Sequence, residues 1–476
     1  MKYDYDLIAL GGGAAGLVAV TGGASLGART ALIEKNKLGG DCTWYGCIPS
    51  KALLKSAGIY SLSKRFKDFG ISTSSDNKYD ATAVMAHVRD VIQKISTHHS
   101  AEVFERRGIK VLFGSPRFID SKTLELDGKK ISAKRFIICT GSHPLVPPIE
   151  GLRSINYLTN ETIFDLESLP ESLAILGGGP IGIEMAQAFA KLGVRVSVIE
   201  MMERILFRED KETAAVLTDI LIKEGSKIYT KQKAVKFCQE KDSVAITMED
   251  NNKKLSVINA QKVLVAIGRA PNVEGLDLEK AGVKYGKKGI EADMTLKTGA
   301  KNIYAAGDVA GPYQFSHMAE YQAIIAVGNA LFPFNRKVDY CCVPWCTFTE
   351  PELAHLGFTE EEAKAQYKNI KVFRSKYSAG DRAVTDLEEN GFAKVICDKR
   401  GYILGAHIVG TNAGELIHEY VLAKTNKLHI GKLSSAIHIY PTLAQVVKRT
   451  GDQYFTGILE SNWFKLFSKI CLKFLR

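Results

Sequence analysis

Cys42 and Cys47 stand five positions apart in the stretch Gly39-Gly40-Asp41-Cys42-Thr43-Trp44-Tyr45-Gly46-Cys47-Ile48-Pro49-Ser50-Lys51. Two thiols at this spacing can work as a redox pair that exchanges with other disulfides. Pro49 suits the first turn of a helix, where its missing N–H goes unused. A helix opening there brings both sulfurs to its positive end, which favours thiolate. Lys51 adds a positive charge one turn on. Gly39, Gly40 and Gly46 let the chain fold back on itself; without that fold-back the pair would be two buried cysteines that never meet.

The elements that position this pair begin at the N-terminus. Asp6 to Leu10 is a short apolar run and reads as a buried parallel strand. Gly11, Gly13 and Gly16 form G-x-G-x-x-G with Ala14 and Ala15 inside it, and a small-residue helix is expected over Leu17–Leu26. Such glycines let backbone approach a pyrophosphate that a helix N-terminus neutralises. Glu34 ends the next strand, 23 positions after Gly11, where a carboxylate meets ribose hydroxyls, and Lys35 follows it. The pattern then recurs. Ser172 to Leu176 reads as a strand, Gly177, Gly179, Pro180, Ile181 and Gly182 carry a second glycine turn, Ile183–Leu192 reads as its helix, and Glu200 again falls 23 positions past the first glycine. Two dinucleotide sites of one design allow a bound cofactor and an exchangeable reductant. A carboxylate at Glu200 accepts from both hydroxyls of the NADH ribose and repels a 2′-phosphate, so NADH is expected over NADPH.

The segment from Gly39 to Lys51 resembles the redox-active segment of the flavin-dependent pyridine nucleotide–disulfide oxidoreductases, the family of dihydrolipoyl dehydrogenase, glutathione reductase and mercuric reductase. The resemblance runs from Tyr3 to about Gly451. It implies an α/β fold with two Rossmann-like dinucleotide-binding domains plus a C-terminal α+β dimerisation domain. The implied division is a first FAD-binding part over 1–150, an NAD(P)-binding domain over 151–267, a return to the FAD and central domain over 268–344, a dimerisation domain over 345–455 and a basic tail over 456–476.

The resemblance also assigns roles. FAD contacts are implied for the first glycine turn, Glu34, Lys35, Gly40, the stretch Thr140-Gly141-Ser142, Gly268, Arg269, Gly307 and Asp308, the last toward a ribityl hydroxyl. The helix opening around Met318 and Ala319 would turn its N–H groups to the flavin's pyrimidine oxygen. Lys51 and Glu184 would pair beside the reactive flavin nitrogen. Electrons would run from NAD(H) through FAD to Cys47, the sulfur nearest the flavin, and leave through Cys42, the exposed thiol. Cys139 reads as a small buried residue and His317 as structural.

The pattern breaks at Ile439-Tyr440-Pro441-Thr442-Leu443-Ala444-Gln445. Dihydrolipoyl dehydrogenase and glutathione reductase carry His and Glu where Tyr440 and Gln445 stand, and that pair serves as base toward the substrate thiol. A phenol ionises near pH ~10, so it is no base near neutrality. His438 comes two residues early and should point elsewhere. Tyrosine here resembles mercuric reductase and its relatives, with Tyr440 reaching across the dimer to cap the pocket. Yet only Cys471 stands near the C-terminus, and no N-terminal metal-binding module is read. The expected activity is an FAD-dependent NAD(P)H oxidoreductase acting on a disulfide, metal-ion or quinone-like acceptor. The alternatives are dihydrolipoyl dehydrogenase and a redox-sensing flavoprotein docked on a membrane or partner.

A chain of 476 residues is too long for one core, so several domains are expected. The formal charge of +11 is dispersed over the chain, which points to solubility and not to nucleic acid. Nine cysteines without framework spacing suit a reducing cytoplasm. Cys341, Cys342 and Cys346 read as buried cysteines, and no metal site is expected. No signal or transit peptide and no apolar run of about 18 residues is found. In the tail, Lys465, Lys469, Lys473 and Arg476 oppose Trp463, Leu466, Phe467, Ile470 and Phe474 at helical spacing. This basic amphipathic helix would either touch a membrane surface or pack on the dimer.

Overall fold

The structure, a computed structural model, describes residues 3–72, 78–333 and 335–475. Arg476 of the tail falls outside these residues. The chain forms two compact units. The first comprises Met1–Gly177, Lys191–Ile199 and Lys233–Asp339, and the second Gly178–Ala190, Glu200–Gln232 and Tyr340–Arg476.

In the first unit the strand Tyr5–Leu10 pairs in parallel with Thr30–Glu34 on one side and Lys129–Ile138 on the other. Lys110–Phe113 and Ile303–Ala305 extend the same parallel sheet at its two sides. Leu7 to Leu10 are all fully buried, as a strand covered on both faces requires. Ile8, Leu10, Phe136, Ile138 and Ile303 feed one core with Phe118 and Leu124. The helices Ala14–Ser25 and Ser316–Leu331 pack together. The first of these starts at Ala14, three residues before the expected Leu17, because Gly13 already takes the N-cap. A second parallel set, Lys262–Val265, Ser172–Leu176 and Arg195–Ile199, belongs to the same unit.

In the second unit five antiparallel strands run in the order Pro344–Thr347, Glu352–Gly357, Ile403–Gly410, Phe392–Asp398, Ile370–Lys376. Helices Ala413–Thr425 and Gln445–Leu459 share its core through Tyr420, Ile417 and Val447, packed with Val395 and Ile408. Lys394 is buried there and donates to both oxygens of Asp210 at 2.9 Å, with Glu360 at 2.8 Å and Glu212 at 3.0 Å. A buried ammonium is tolerable only with such partners.

Candidate active site

Cys42 and Cys47 form a disulfide with Cα atoms 4.8 Å apart. Cys47 opens the helix Cys47–Ser63, and Pro49 is buried in its first turn. Cys42 lies in a separate short helix, Gly40–Trp44. The disulfide nevertheless keeps the Cys42 sulfur beside that of Cys47, so both sulfurs reach the start of the Cys47–Ser63 helix, as expected. Tyr45 and Gly46 leave helical backbone between them, with φ −136° and −124°. Cys47 is exposed and Cys42 half-buried. Thr43 donates to Gly39 O at 3.0 Å and Trp44 Nε1 to Leu38 O at 2.8 Å, which holds the fold-back. Lys51, half-buried, donates to Ser50 Oγ at 3.3 Å.

The first glycine turn stands directly against this segment. Gly40 has φ +63°, and a Cβ on it would lie 2.6 Å from Gly13 Cα. A Cβ on Gly16 would sit 1.8 Å from Gly11 O, and one on Gly11 would sit 2.4 Å from Cys139 O. Bare backbone is thus required on both sides of the turn. Glu34, buried, accepts from Gly12 N–H at 2.6 Å and from Asn36 N–H at 2.7 Å. The second turn repeats the device: Glu200 accepts from Gly178 N–H and Met202 N–H, each at 2.7 Å. In both repeats the carboxylate orders the glycine turn, a role beyond the ribose contact expected of it. Arg204 donates to Leu206 O. Pro180 and Ile181 are exposed at the opening of the helix Pro180–Lys191, while Gly182 is buried. Lys35 is exposed.

One ionic network gathers distant parts of the chain. Arg269 pairs with Asp41 at 3.0 Å and lies 3.9 Å from Asp308, and its side chain is only 10% exposed. It donates to Ser142 Oγ at 2.7 Å, and Ser142 donates to Asp308 at 2.6 Å. Burial pushes the Asp308 carboxyl up, against the Ser142 bond and the Arg269 charge. Asn160 donates to Asp41 and to Tyr45 O, bracing the redox segment. Thr140 and Asn272 exchange side-chain and backbone bonds, and Asn272 N–H reaches Gly141 O. A Cβ on Gly307 would touch Ala319 Cβ at 3.3 Å and Ala15 Cβ at 3.4 Å. Buried Gln322 accepts from Gly307 N–H at 2.7 Å and donates to Gly311 O. Asp41, Asn160 and Gln322 escaped the sequence reading. Only Asp41 carried a signal, a charge wedged between Gly40 and Cys42.

Residues 5–323 match the family described as pyridine nucleotide-disulphide oxidoreductase, and residues 343–450 match its dimerisation domain. The chain belongs to this family. It is 35% identical over 449 residues to a mercuric reductase of Bacillus cereus, covering 94% of this chain and 71% of that one. It is 34% identical over 463 residues to a dihydrolipoyl dehydrogenase of Bacillus subtilis (strain 168), covering 94% and 97%. Among solved structures, the HOCl-induced flavoprotein disulfide reductase RclA from Escherichia coli superposes with a TM-score of 0.84 at 27% identity, covering 94% of this chain and 99% of that one.

The family is FAD-dependent and uses a pyridine nucleotide, and the residues of this oxidoreductase fit both groups. Two glycine turns free of Cβ, a helix end without a side-chain cap at Gly13, and the half-sunken Asp308 are what a dinucleotide's phosphates and polyol need. The dimerisation domain supports a homodimer. Glu184 is buried and accepts from Phe348 N–H at 3.0 Å, so it is no surface acid. Tyr440 is 69% exposed and donates to Asp381 at 2.7 Å; that carboxylate pushes the phenol above its usual range. Half-buried Gln445 opens the helix Gln445–Leu459. His438 points another way, as expected, with Nε2 at 3.0 Å from Glu419. Cys139 is buried and its thiol is pushed up by desolvation. His317 stacks on Phe315.

The expectation of three buried cysteines at the start of the dimerisation domain is corrected. Cys341 is exposed, and Cys342 and Cys346 are half-buried. The Cys341 and Cys342 sulfurs lie 3.1 Å apart. Gly414, at the start of the helix Ala413–Thr425, faces Cys346, while Lys424 in its last turn meets Cys341 O and Cys342 Sγ. Among the described residues no group of three His, Cys, Asp or Glu side chains is placed to hold a metal ion.

Proposed function

We propose that this oxidoreductase draws electrons from NADH and delivers them through Cys42 and Cys47 to an acceptor that needs no protein base. The observation that carries the reading is the pairing of a closed Cys42–Cys47 bond with a Tyr440 phenol held by Asp381. FAD, when bound, supplies hydride uptake from the nicotinamide and transfer of the electron pair to the disulfide.

The rest is the work of the chain. Two electrons cleave the Cys42–Cys47 bond to two thiolates, which solvent protonates in part. Cys47, at a helix N-terminus, is the thiolate the dipole favours. Cys42 attacks one sulfur of an acceptor disulfide, and that acceptor's other sulfur leaves as thiolate. Cys47 then attacks Cys42, which reforms the bond and frees the second thiol. Lys51, one turn into the helix that Cys47 opens, offsets negative charge on the reduced pair. A leaving thiolate of ordinary pKa wants a proton donor poised near neutrality, and neither Tyr440 nor Gln445 is one. A soft metal ion bound by the two thiolates makes no such demand. The names of relatives agree with this preference: several are mercuric reductases, and the Escherichia coli RclA was also solved as a Cu(II) complex. A quinone-like acceptor stays within the same class. Dihydrolipoyl dehydrogenase is the second reading, favoured by the end-to-end match to such enzymes and opposed by Tyr440 and Gln445.

Glu200 supports NADH over NADPH, and Arg204, four residues on, donates to Leu206 O. The five-part division at residues 150, 267, 344 and 455 and a cytoplasmic site of action belong to the same reading, with the basic tail as a surface contact and not a catalytic element. The deciding experiment is steady-state NADH oxidation by flavin-loaded protein with Hg²⁺, Cu²⁺, a quinone, glutathione disulfide and lipoamide. Turnover with the metals or quinone well above that with lipoamide is expected. Lipoamide as the best acceptor would overturn the reading.

A further inference from the structure

The helix Asn462–Phe474 begins at Ser461, whose hydroxyl accepts from Phe464 N–H, and none of its residues is buried. At 3.6 residues per turn Trp463, Phe467, Ile470 and Phe474 fall on one face. Trp463 is 70% and Phe474 87% exposed, and the Trp463 and Phe467 rings stack with centroids 5.7 Å apart. Lys465, Lys469 and Lys473 hold the other side, and Ser461 to Leu475 contains no acid. The helix also lies beyond residue 450, where the match to the dimerisation domain ends. Aromatic and aliphatic side chains laid open in one strip mark a surface that something covers.

Charge selects the occupant. A second copy of this helix would set lysines near lysines, with no carboxylate in the segment to pair them. An anionic bilayer offers hydrocarbon to the rings and phosphate to the ammonium groups, whose stems reach up from the apolar side. The helix is about 20 Å long and too charged to span, and no described helix is long and apolar enough to cross a membrane. We infer that this helix docks the enzyme flat on an anionic membrane surface, with Trp463, Phe467, Ile470 and Phe474 sunk at the headgroup–acyl boundary. The inference is independent of the redox chemistry proposed for Cys42 and Cys47.

Full-length, flavin-loaded protein is sedimented with vesicles of phosphatidylglycerol and phosphatidylcholine, and with phosphatidylcholine alone. Binding to the anionic vesicles that weakens with salt is expected. Replacing Lys465 or Lys469 with Gln should lower partitioning about fivefold each, and the pair Trp463→Ser and Phe467→Ser should abolish it. Flavin reduction by NADH should be the same in every variant, which separates failure of docking from failure of the redox assignment. Equal binding to neutral vesicles, full binding by the Ser variant, or protection of this helix from hydrogen exchange in vesicle-free protein would each overturn the inference, the last by showing that the chain's own dimer covers it.

Discussion

The Tyr440 hydroxyl donates to Asp381 at 2.7 Å, and the carboxylate raises the phenol's pKa. The shift is upward, so Tyr440 stays protonated through the neutral range and acts only as a donor or a cap. Tyr440→Phe should therefore change acceptor turnover less than about tenfold, against the factor of about 10² or more that loss of a true general base costs. The pH profile of turnover between 6 and 9 (roughly the window where a His base would titrate) should be the same for both proteins. A new or lost ionisation in that window would assign Tyr440 a proton-transfer role.

Cys42 and Cys47 differ in setting, one half-buried in a short helix and one exposed at a helix start. Cys42→Ser should still let NADH bleach the flavin but lose turnover with disulfide acceptors by about 10³ or more, because only a thiolate is a competent nucleophile. Stopped-flow absorbance follows the first step and steady-state assay the second. Full turnover in this variant, with loss confined to Cys47→Ser, would exchange the two roles.

Glu200 holds the second glycine turn through Gly178 N–H. Glu200→Arg removes that bond and welcomes a 2′-phosphate. The ratio of kcat/KM for NADH to that for NADPH should fall about tenfold or more, a change of about 1.4 kcal/mol in relative transition-state binding. An unchanged ratio would mean that discrimination lies elsewhere.

Gly40 is held at φ +63° with its missing Cβ 2.6 Å from Gly13 Cα. Gly40→Ala forces backbone apart where two segments of the site meet. Overpacking of this kind costs about 1–3 kcal/mol. A lower Tm and a lower flavin-to-protein absorbance ratio after purification are expected together. Flavin content equal to the parent would show that the contact does not shape the cofactor site.

Lys394 binds Asp210 and Glu360 in a buried cluster. Burial works against the Glu360 carboxylate, but hydrogen bonds from Lys364 and Lys394 prevail and hold its pKa at about 2, below the ordinary 4.5. A depressed carboxyl contributes stability that is complete above its unfolded pKa and lost as pH falls toward the folded one. Stability should thus decline between about 4.5 and 2 on this account. Lys394→Met takes the ammonium away from buried Asp210 and should cost about 3–5 kcal/mol, read by urea unfolding at neutral pH. A neutral or stabilising result would show that the cluster is dispensable.

Ser172–Leu176 was expected as a strand and is one, and Tyr5–Leu10 exceeds its expected span by one residue. Both are short apolar runs closed by glycine, so local chemistry marks their ends. Helix starts were read less well. Ala14 and Pro180 precede the expected starts because a glycine turn already carries helical bonds that side-chain patterning does not reveal. The exposure of Cys341 was misread, since a free cysteine's type says buried while its neighbours decide otherwise.

What the sequence by itself determined is local: the Cys42 and Cys47 spacing, two glycine turns each followed by a carboxylate, a phenol and an amide at Tyr440 and Gln445, and the two-sided tail. These depend on backbone geometry over a few residues or on residue type alone. The tertiary structure decided which charges meet. Asp41 and Arg269, Ser142 and Asp308, Tyr440 and Asp381, and His438 and Glu419 are each far apart in the chain. No periodicity links such partners, because their pairing follows from strand order and helix packing. For the same reason only the folded chain shows that Glu34 and Glu200 first serve the backbone of their own glycine turns.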